Sequence, residues 1–158
     1  MNETMKKVHL LKQIARKFNE ASITWALGAS MMLYFKKITS EFHDIDLLIA
    51  NENVEAARKI LSEMGEQQPP NPNPKYQTKT FMEFVINSMD VDVMAGFTIF
   101  SDGKLYDCSL KKEQIVEWID LEGEKIPLQS PLLWRDYYRL MGRKEKVDMI
   151  EKHIFFTK

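Results

Sequence analysis

The stretch Phe42-His43-Asp44-Ile45-Asp46-Leu47-Leu48-Ile49-Ala50 decides how the rest of this chain is read. Ile45, Leu47, Leu48 and Ile49 give it the character of a strand, yet it carries two aspartates, a residue type depleted in strands. Side chains at i and i+2 of a strand share a face, so Asp44 and Asp46 point the same way, roughly 6–7 Å apart along the backbone. Two like charges held that close repel unless a proton or a cation sits between them. A second acidic run, Met89 to Phe97 (MDVDVMAGF), alternates Asp90 and Asp92 with Val91 and Val93. Two acidic strands in one small chain predict a carboxylate cage for hard divalent cations.

Composition narrows the alternatives. The chain has 158 residues, 44% apolar and 28% charged, the make-up of one globular domain with a real core. A net charge of −1 gives no global field for nucleic acid, although a local basic patch and a nucleic-acid partner are not excluded. Cys108 is the only cysteine, so there is no intramolecular disulfide and no thiolate metal site. No apolar run approaches the ~20 residues that span a bilayer. The N-terminal residues have no signal-peptide core, and a cytoplasmic protein without membrane contact is the expectation.

Working outward from the acidic strand, residues 5–20 predict an amphipathic helix through Val8, Leu11, Ile14, Ala15 and Phe18. A short strand, Ile23 to Leu27, ends at Gly28, and Ala29 to Phe35 reads as a short buried helix. Lys36 to His43 is a polar connection. Asn51 or Asn53 caps a helix through Val54, Ala57, Ile60, Leu61 and Met64, with Gly65 as its stop. Gln67 to Pro74 (QQPPNPNP) excludes helix and central strand; it reads first as a surface loop, with a substrate lid as the alternative. Thr80 to Asn87 and Asp90 to Met94 are strands joined by a turn. Phe97 to Tyr106 is a further hairpin or loop around Asp102-Gly103. Gln114 to Ile119 and Lys125 to Leu128 flank Glu122-Gly123 as a hairpin. Ser130-Pro131 opens a helix that stops at Gly142, and a last helix runs from about Lys144 to Phe155. The predicted fold class is α/β (α+β): a mixed sheet with packed helices and a short C-terminal helical pair. One domain spans 1–158, with a sheet-and-helix core over 1–128 and C-terminal helices over 129–158.

These residues together resemble the nucleotidyltransferase superfamily, which includes polymerase-β-like, aminoglycoside and lincosamide nucleotidyltransferases. The resemblance rests on WALGAS (residues 25–30), HDIDLLI, VDVMAGF and the C-terminal IPLQSPLLWRDYYRLMGRKEKVDMIEKHI, end to end as in small predicted bacterial and archaeal nucleotidyltransferases. It implies Mg²⁺-dependent transfer of a nucleoside monophosphate from a nucleoside triphosphate, ATP among them, to a hydroxyl acceptor: a small molecule, a protein or an RNA. It implies Asp44, Asp46 and Asp92 as metal-binding and catalytic acids, with two ions only when nucleotide is bound. Gly28, Ala29, Ser30, Lys36 and Arg143 are the implied nucleotide-binding positions. Ala29 stands where the family has Gly or Ser, and the spacer to Asp44 is slightly longer than the common pattern.

Plainer readings stand beside these. An isolated Asp-x-Asp is a weak motif. Asp90 is spaced like Asp92 on the same face, and Asp92 is preferred because it sits deeper in the apolar run. His43 lacks a second histidine at ligand spacing and reads as a support for the acidic strand or a phosphate contact. Arg139, Lys144, Lys146, Lys36 and Lys37 fit a solvated helix face as well as a phosphate site. Trp25, Trp118 and Trp134 read as core or partly buried packing residues. The functional alternatives are an inactive nucleotide- or metal-binding module and a protein-interaction domain. The shortness of the chain favours the module unless a homodimer supplies a second wall.

Overall fold

A computed structural model of the chain describes residues 1–70 and 78–156. Most of the proline-rich stretch read as a loop or lid, residues 71–74, lies outside the described residues. The first helix, α1 (Glu3–Glu20), starts where the Asn2 side chain accepts the Met5 N–H at 2.8 Å. It buries Leu10, Leu11, Ile14, Ala15 and Phe18, close to the predicted stripe. The acidic strand follows β1 (Trp25–Leu27) and α2 (Ala29–Phe35) as β2 (Ile45–Ile49). A 3₁₀ turn at Asn51–Asn53 leads into α3 (Val54–Ser62).

The next strands are β3 (Glu66–Gln67), β4 (Thr80–Ile86) and β5 (Met89–Ala95). Gln67 therefore belongs to a short edge strand, paired with Phe84, and not to a loop. A separate hairpin joins β6 (Thr98–Ser101) to β7 (Lys104–Asp107). The last strands are β8 (Glu117–Leu121) and β9 (Glu124–Leu128), followed by α4 (Pro131–Leu140) and α5 (Lys144–Phe156). Gln114, expected in a strand, instead closes a 3₁₀ turn over Lys112–Gln114. Each two-residue turn, at Asn87-Ser88, Asp102-Gly103 and Glu122-Gly123, has positive φ at both positions, the twist that tight hairpins require.

Among the described residues, seven strands form one mixed sheet in the order β3-β4-β5-β2-β1-β9-β8. β2 runs parallel to β5 and antiparallel to β1, and β1 runs parallel to β9. This makes β2 a central strand, which explains its continuous apolar run: Leu47, Leu48 and Ile49 are all buried, and only Asp46 is partly open. Helix α1 packs on β9 and against α3, while α4 packs against α2, β6 and α5. The core joins the sheet to the C-terminal pair through Trp134, Tyr137, Tyr138, Val147 and Ile150. Trp25 is buried, but Trp118, expected to be packed, is half exposed on edge strand β8.

Candidate active site

Parallel pairing of β2 with β5 sets Asp46 opposite Asp92, with Ile45 opposite Val91 one step earlier. Neighbouring strands lie about 4.8 Å apart, so the two carboxylates rise side by side from one face. Asp44 immediately precedes β2 and continues the row towards Asp90. On the other side of Asp92, β4 contributes Glu83 as its direct antiparallel partner. The acids therefore form a row across three neighbouring strands, of which Glu83 was not singled out from the sequence. Only the pairing of β4 with β5 reveals it.

A cavity of about 320 Å³ opens over this face. Asp44, Asp46 and Asp92 line it together with Ala29, Ser30 and Arg143. Asp92, not the exposed Asp90, reaches this cavity. The far wall is apolar and aromatic: Phe81, Met94, Phe97, Trp134, Tyr138 and Met141. Trp134 is buried yet borders the cavity, stacked near Phe97 with ring centroids 5.9 Å apart.

Electrostatics follow from this crowding. The Asp46 carboxyl is raised well above the ordinary carboxylate range, by burial first and then by Asp92 and Asp44. Burial also raises Asp92, to about 7, with Asp44, Glu83 and Asp90 adding to the effect. Asp44 is raised by burial and Asp90, opposed by His43 and Lys7. Lys7 reaches the site from α1, where its Nζ approaches the Phe42 carbonyl at 3.4 Å and stands over the Phe42 ring. His43 is exposed beside Asp44. The donor chemistry, three carboxylates that repel one another, suits a hard divalent cation. As they stand, no three His, Cys, Asp or Glu side chains among the described residues converge closely enough to enclose one.

The glycine turn reaches the same cavity. The Gly28 N–H donates to the Asp46 carbonyl at 3.0 Å, tying the turn to the acidic strand. Gly28 has extended φ, so its requirement is space: a Cβ there would meet Gln129 Oε1 at 2.6 Å and the Trp134 ring at 2.8 Å. Ala29 holds φ at +53°, a conformation that suits glycine, so the alanine there is strained. Arg143 projects its guanidinium over the Tyr138 ring, 5.8 Å from the centroid, and donates through Nε to Glu145 at 2.6 Å. Lys36 is not brought to the cavity; it pairs with Glu117 on β8 at 2.5 Å. Arg139 is likewise directed away, to Asp136 and Glu151.

No family model matches the chain, and no curated protein matches it by sequence. Solved structures do. A candidate nucleotidyltransferase from Thermotoga maritima is 21% identical with a TM-score of 0.74, over 96% of this chain and 94% of that one. The antibiotic-resistance factor ANT(2″)-Ia, in complex with adenylyl-2″-tobramycin, is 14% identical with a TM-score of 0.63, over 92% and 88%. The lincosamide antibiotic adenylyltransferase LnuA, bound to lincomycin, is 13% identical with a TM-score of 0.61, over 89% and 94%. At these identities the likeness shows the fold.

Proposed function

We propose that this chain, which has the nucleotidyltransferase fold, transfers a nucleoside monophosphate from a nucleoside triphosphate to an acceptor hydroxyl with the help of Mg²⁺ or Mn²⁺. The observation that carries the reading is the shared face of Asp44, Asp46 and Asp92, opposite a strained glycine turn and one arginine, around a single cavity. Asp44, Asp46 and Asp92 would hold the metal, and two ions are expected only once the triphosphate adds its own oxygens. When bound, a divalent cation stabilises charge on the attacking and leaving oxygens.

The protein's own groups divide the remaining work. Ser30 and Arg143 face the phosphates, Arg143 supplying a fixed positive charge and a planar set of donors. Asp92, raised to about 7 by burial and its acidic neighbours without metal, would be held as a carboxylate by a bound cation and in that form can serve as the general base. It takes the proton from the acceptor hydroxyl as that oxygen bonds to the α-phosphorus, while the bond to pyrophosphate breaks and pyrophosphate leaves. The aromatic and methionine wall offers a dry surface to a base or acceptor. The acceptor class stays a small molecule, a protein or an RNA.

Chain length no longer favours the rival reading of a binding module without turnover. ANT(2″)-Ia and LnuA, matched over 88% and 94% of their chains, are solved with adenylyl-2″-tobramycin and with lincomycin bound, so a chain of this length is compatible with an acceptor.

The test is thermal unfolding of wild type and Asp46→Asn with each of the four nucleoside triphosphates, with and without Mg²⁺ or Mn²⁺. Nucleotide at about 100 times its dissociation constant should stabilise the protein by ~2.7 kcal/mol, a shift of several degrees. The shift should need metal and vanish in Asp46→Asn. No shift with any nucleotide and metal would overturn the reading.

A further inference from the structure

The sheet face that carries the acids is ordered in rows. Asp46, Asp92 and Glu83 stand side by side on β2, β5 and β4. Two residues further along β2 and β5, and two back along β4, the same pairing sets Leu48, Met94 and Phe81 in a second row. Residues i and i+2 of a strand share a face, so an apolar row borders the acids at roughly 6–7 Å. Leu48 and Met94 are buried, whereas Phe81 is 44% exposed. Phe81 and Met94 line the same cavity as the acids.

The other aromatic residues around the cavity, Phe97, Trp134 and Tyr138, are buried and packed on one another. Phe81 alone among them keeps a large open surface. Its place is fixed from both sides. It pairs with Met94 on β5, and just before β4 the Lys79 N–H donates to the Gly96 carbonyl at 3.2 Å. The Thr98 N–H donates to the Thr78 hydroxyl at 3.3 Å beside it. The glycine turn lies diagonally across the acids from this ring. Leu27 is opposite Leu47, and the Gly28 N–H meets the Asp46 carbonyl, so the turn leaves β1 towards the Asp44 end of β2, away from Leu48 and from β4.

Resting on the nucleotide-transfer reading, we infer that Phe81, with Met94 beside it, is the stacking platform for the base of the donor nucleoside triphosphate. With the triphosphate tail at the glycine turn and the α-phosphate over the acid row, the ribose and base extend to the opposite corner of the cavity, where Phe81 stands. The step between the rows, roughly 6–7 Å, matches the reach from an α-phosphate across a ribose to its base. An open ring holds a base by its π-face and not by its edges, so the platform adds affinity with little choice among bases.

The experiment is titration calorimetry of wild type, Phe81→Ala and Phe81→Tyr with ATP, GTP, CTP and UTP in the presence of Mn²⁺. Inorganic triphosphate, which carries the phosphates and no base, is the companion probe. Phe81→Ala should weaken every nucleotide that wild type binds about tenfold and leave inorganic triphosphate within about twofold. Phe81→Tyr, which keeps the ring, should stay within about twofold of wild type throughout. An unchanged nucleotide affinity in Phe81→Ala would overturn the inference and leave the ring to the acceptor. An equal loss for inorganic triphosphate in Phe81→Ala, or for nucleotides in Phe81→Tyr, would overturn it as well. So would wild-type binding of inorganic triphosphate without any nucleotide. If wild type binds neither, the nucleotide-transfer reading fails first and takes the inference with it, a result distinct from wild-type binding with a silent Phe81→Ala.

Discussion

Asp92 and Ala29 show how single residues in this site are set against the fold's own stability. The Asp92 carboxyl is raised to about 7 from an ordinary 3.8 by burial and by Asp44, Glu83 and Asp90. A group whose folded pKa is raised favours the folded state fully below its unfolded pKa, and that contribution is lost as pH rises through the folded value. The melting temperature of the metal-free protein should therefore fall between about pH 4 and about pH 7 for this reason. Melting curves across that range should flatten in Asp92→Asn, and Mg²⁺ should recover stability at the alkaline end in wild type only. A slope unchanged in Asp92→Asn would contradict this electrostatic account. Ala29 makes a separate demand, since its φ of +53° is unfavourable for any side chain. Ala29→Gly should stabilise the protein by ~0.5–1 kcal/mol in urea unfolding, because relief of strain exceeds the entropy that glycine adds to the unfolded chain. The acid pair was legible in the sequence because its signal is local: alternating residues share a face. Glu83, Lys7 and Tyr138 were not legible, since each joins the site through a strand pairing or helix contact that no spacing encodes.

At the scale of elements, β2 and α4 do most to place the site. β2 is buried on both faces beyond Asp46, so its register is fixed by Leu47, Leu48 and Ile49. A slip of one residue would turn Asp46 into the core, which makes the acid positions as secure as the core itself. Helix α4 depends more on its start. Ser130 Oγ accepts from the N–H groups of Leu132 at 3.1 Å and Leu133 at 3.4 Å, and Pro131 presets the first turn. Ser130→Ala should cost ~1 kcal/mol, a fall of about 2–4 °C in melting temperature. A change below half a degree would show that packing alone holds the helix start. The Ser-Pro signal and the Gly142 stop made α4 predictable as a helix. Its docking against Gly28 was not, because the fit depends on the Gln129 and Trp134 side chains meeting in space. Lys36 shows the reverse error: near the turn in sequence, it points to β8 once that strand is placed.

For the whole molecule, the C-terminal pair and the sheet share one core, and the aromatic contacts of α4 make that continuity physical. Cys108 sits at this junction, 4% exposed, where its carbonyl accepts from the Tyr137 hydroxyl at 3.4 Å. Burial, with Asp107 beside it, pushes its thiol up to about 11. A thiol reagent near neutral pH should therefore label Cys108 only when the junction opens, and Mn²⁺ with the best-bound nucleotide should slow labelling at least tenfold. Labelling at the rate of a free thiol in the native protein would show that the junction opens independently of the sheet. The sequence by itself determined the elements, the acid pair, the glycine turn and the resemblance, because these follow from periodicity, turn chemistry and residue type over short spans. Tertiary structure alone decided which acid completes the row, which cations reach the cavity and that a tyrosine from the last third of the chain lines it with the glycine turn. Those are distances between segments far apart in sequence, set by strand order and side-chain packing, to which local patterns carry no record.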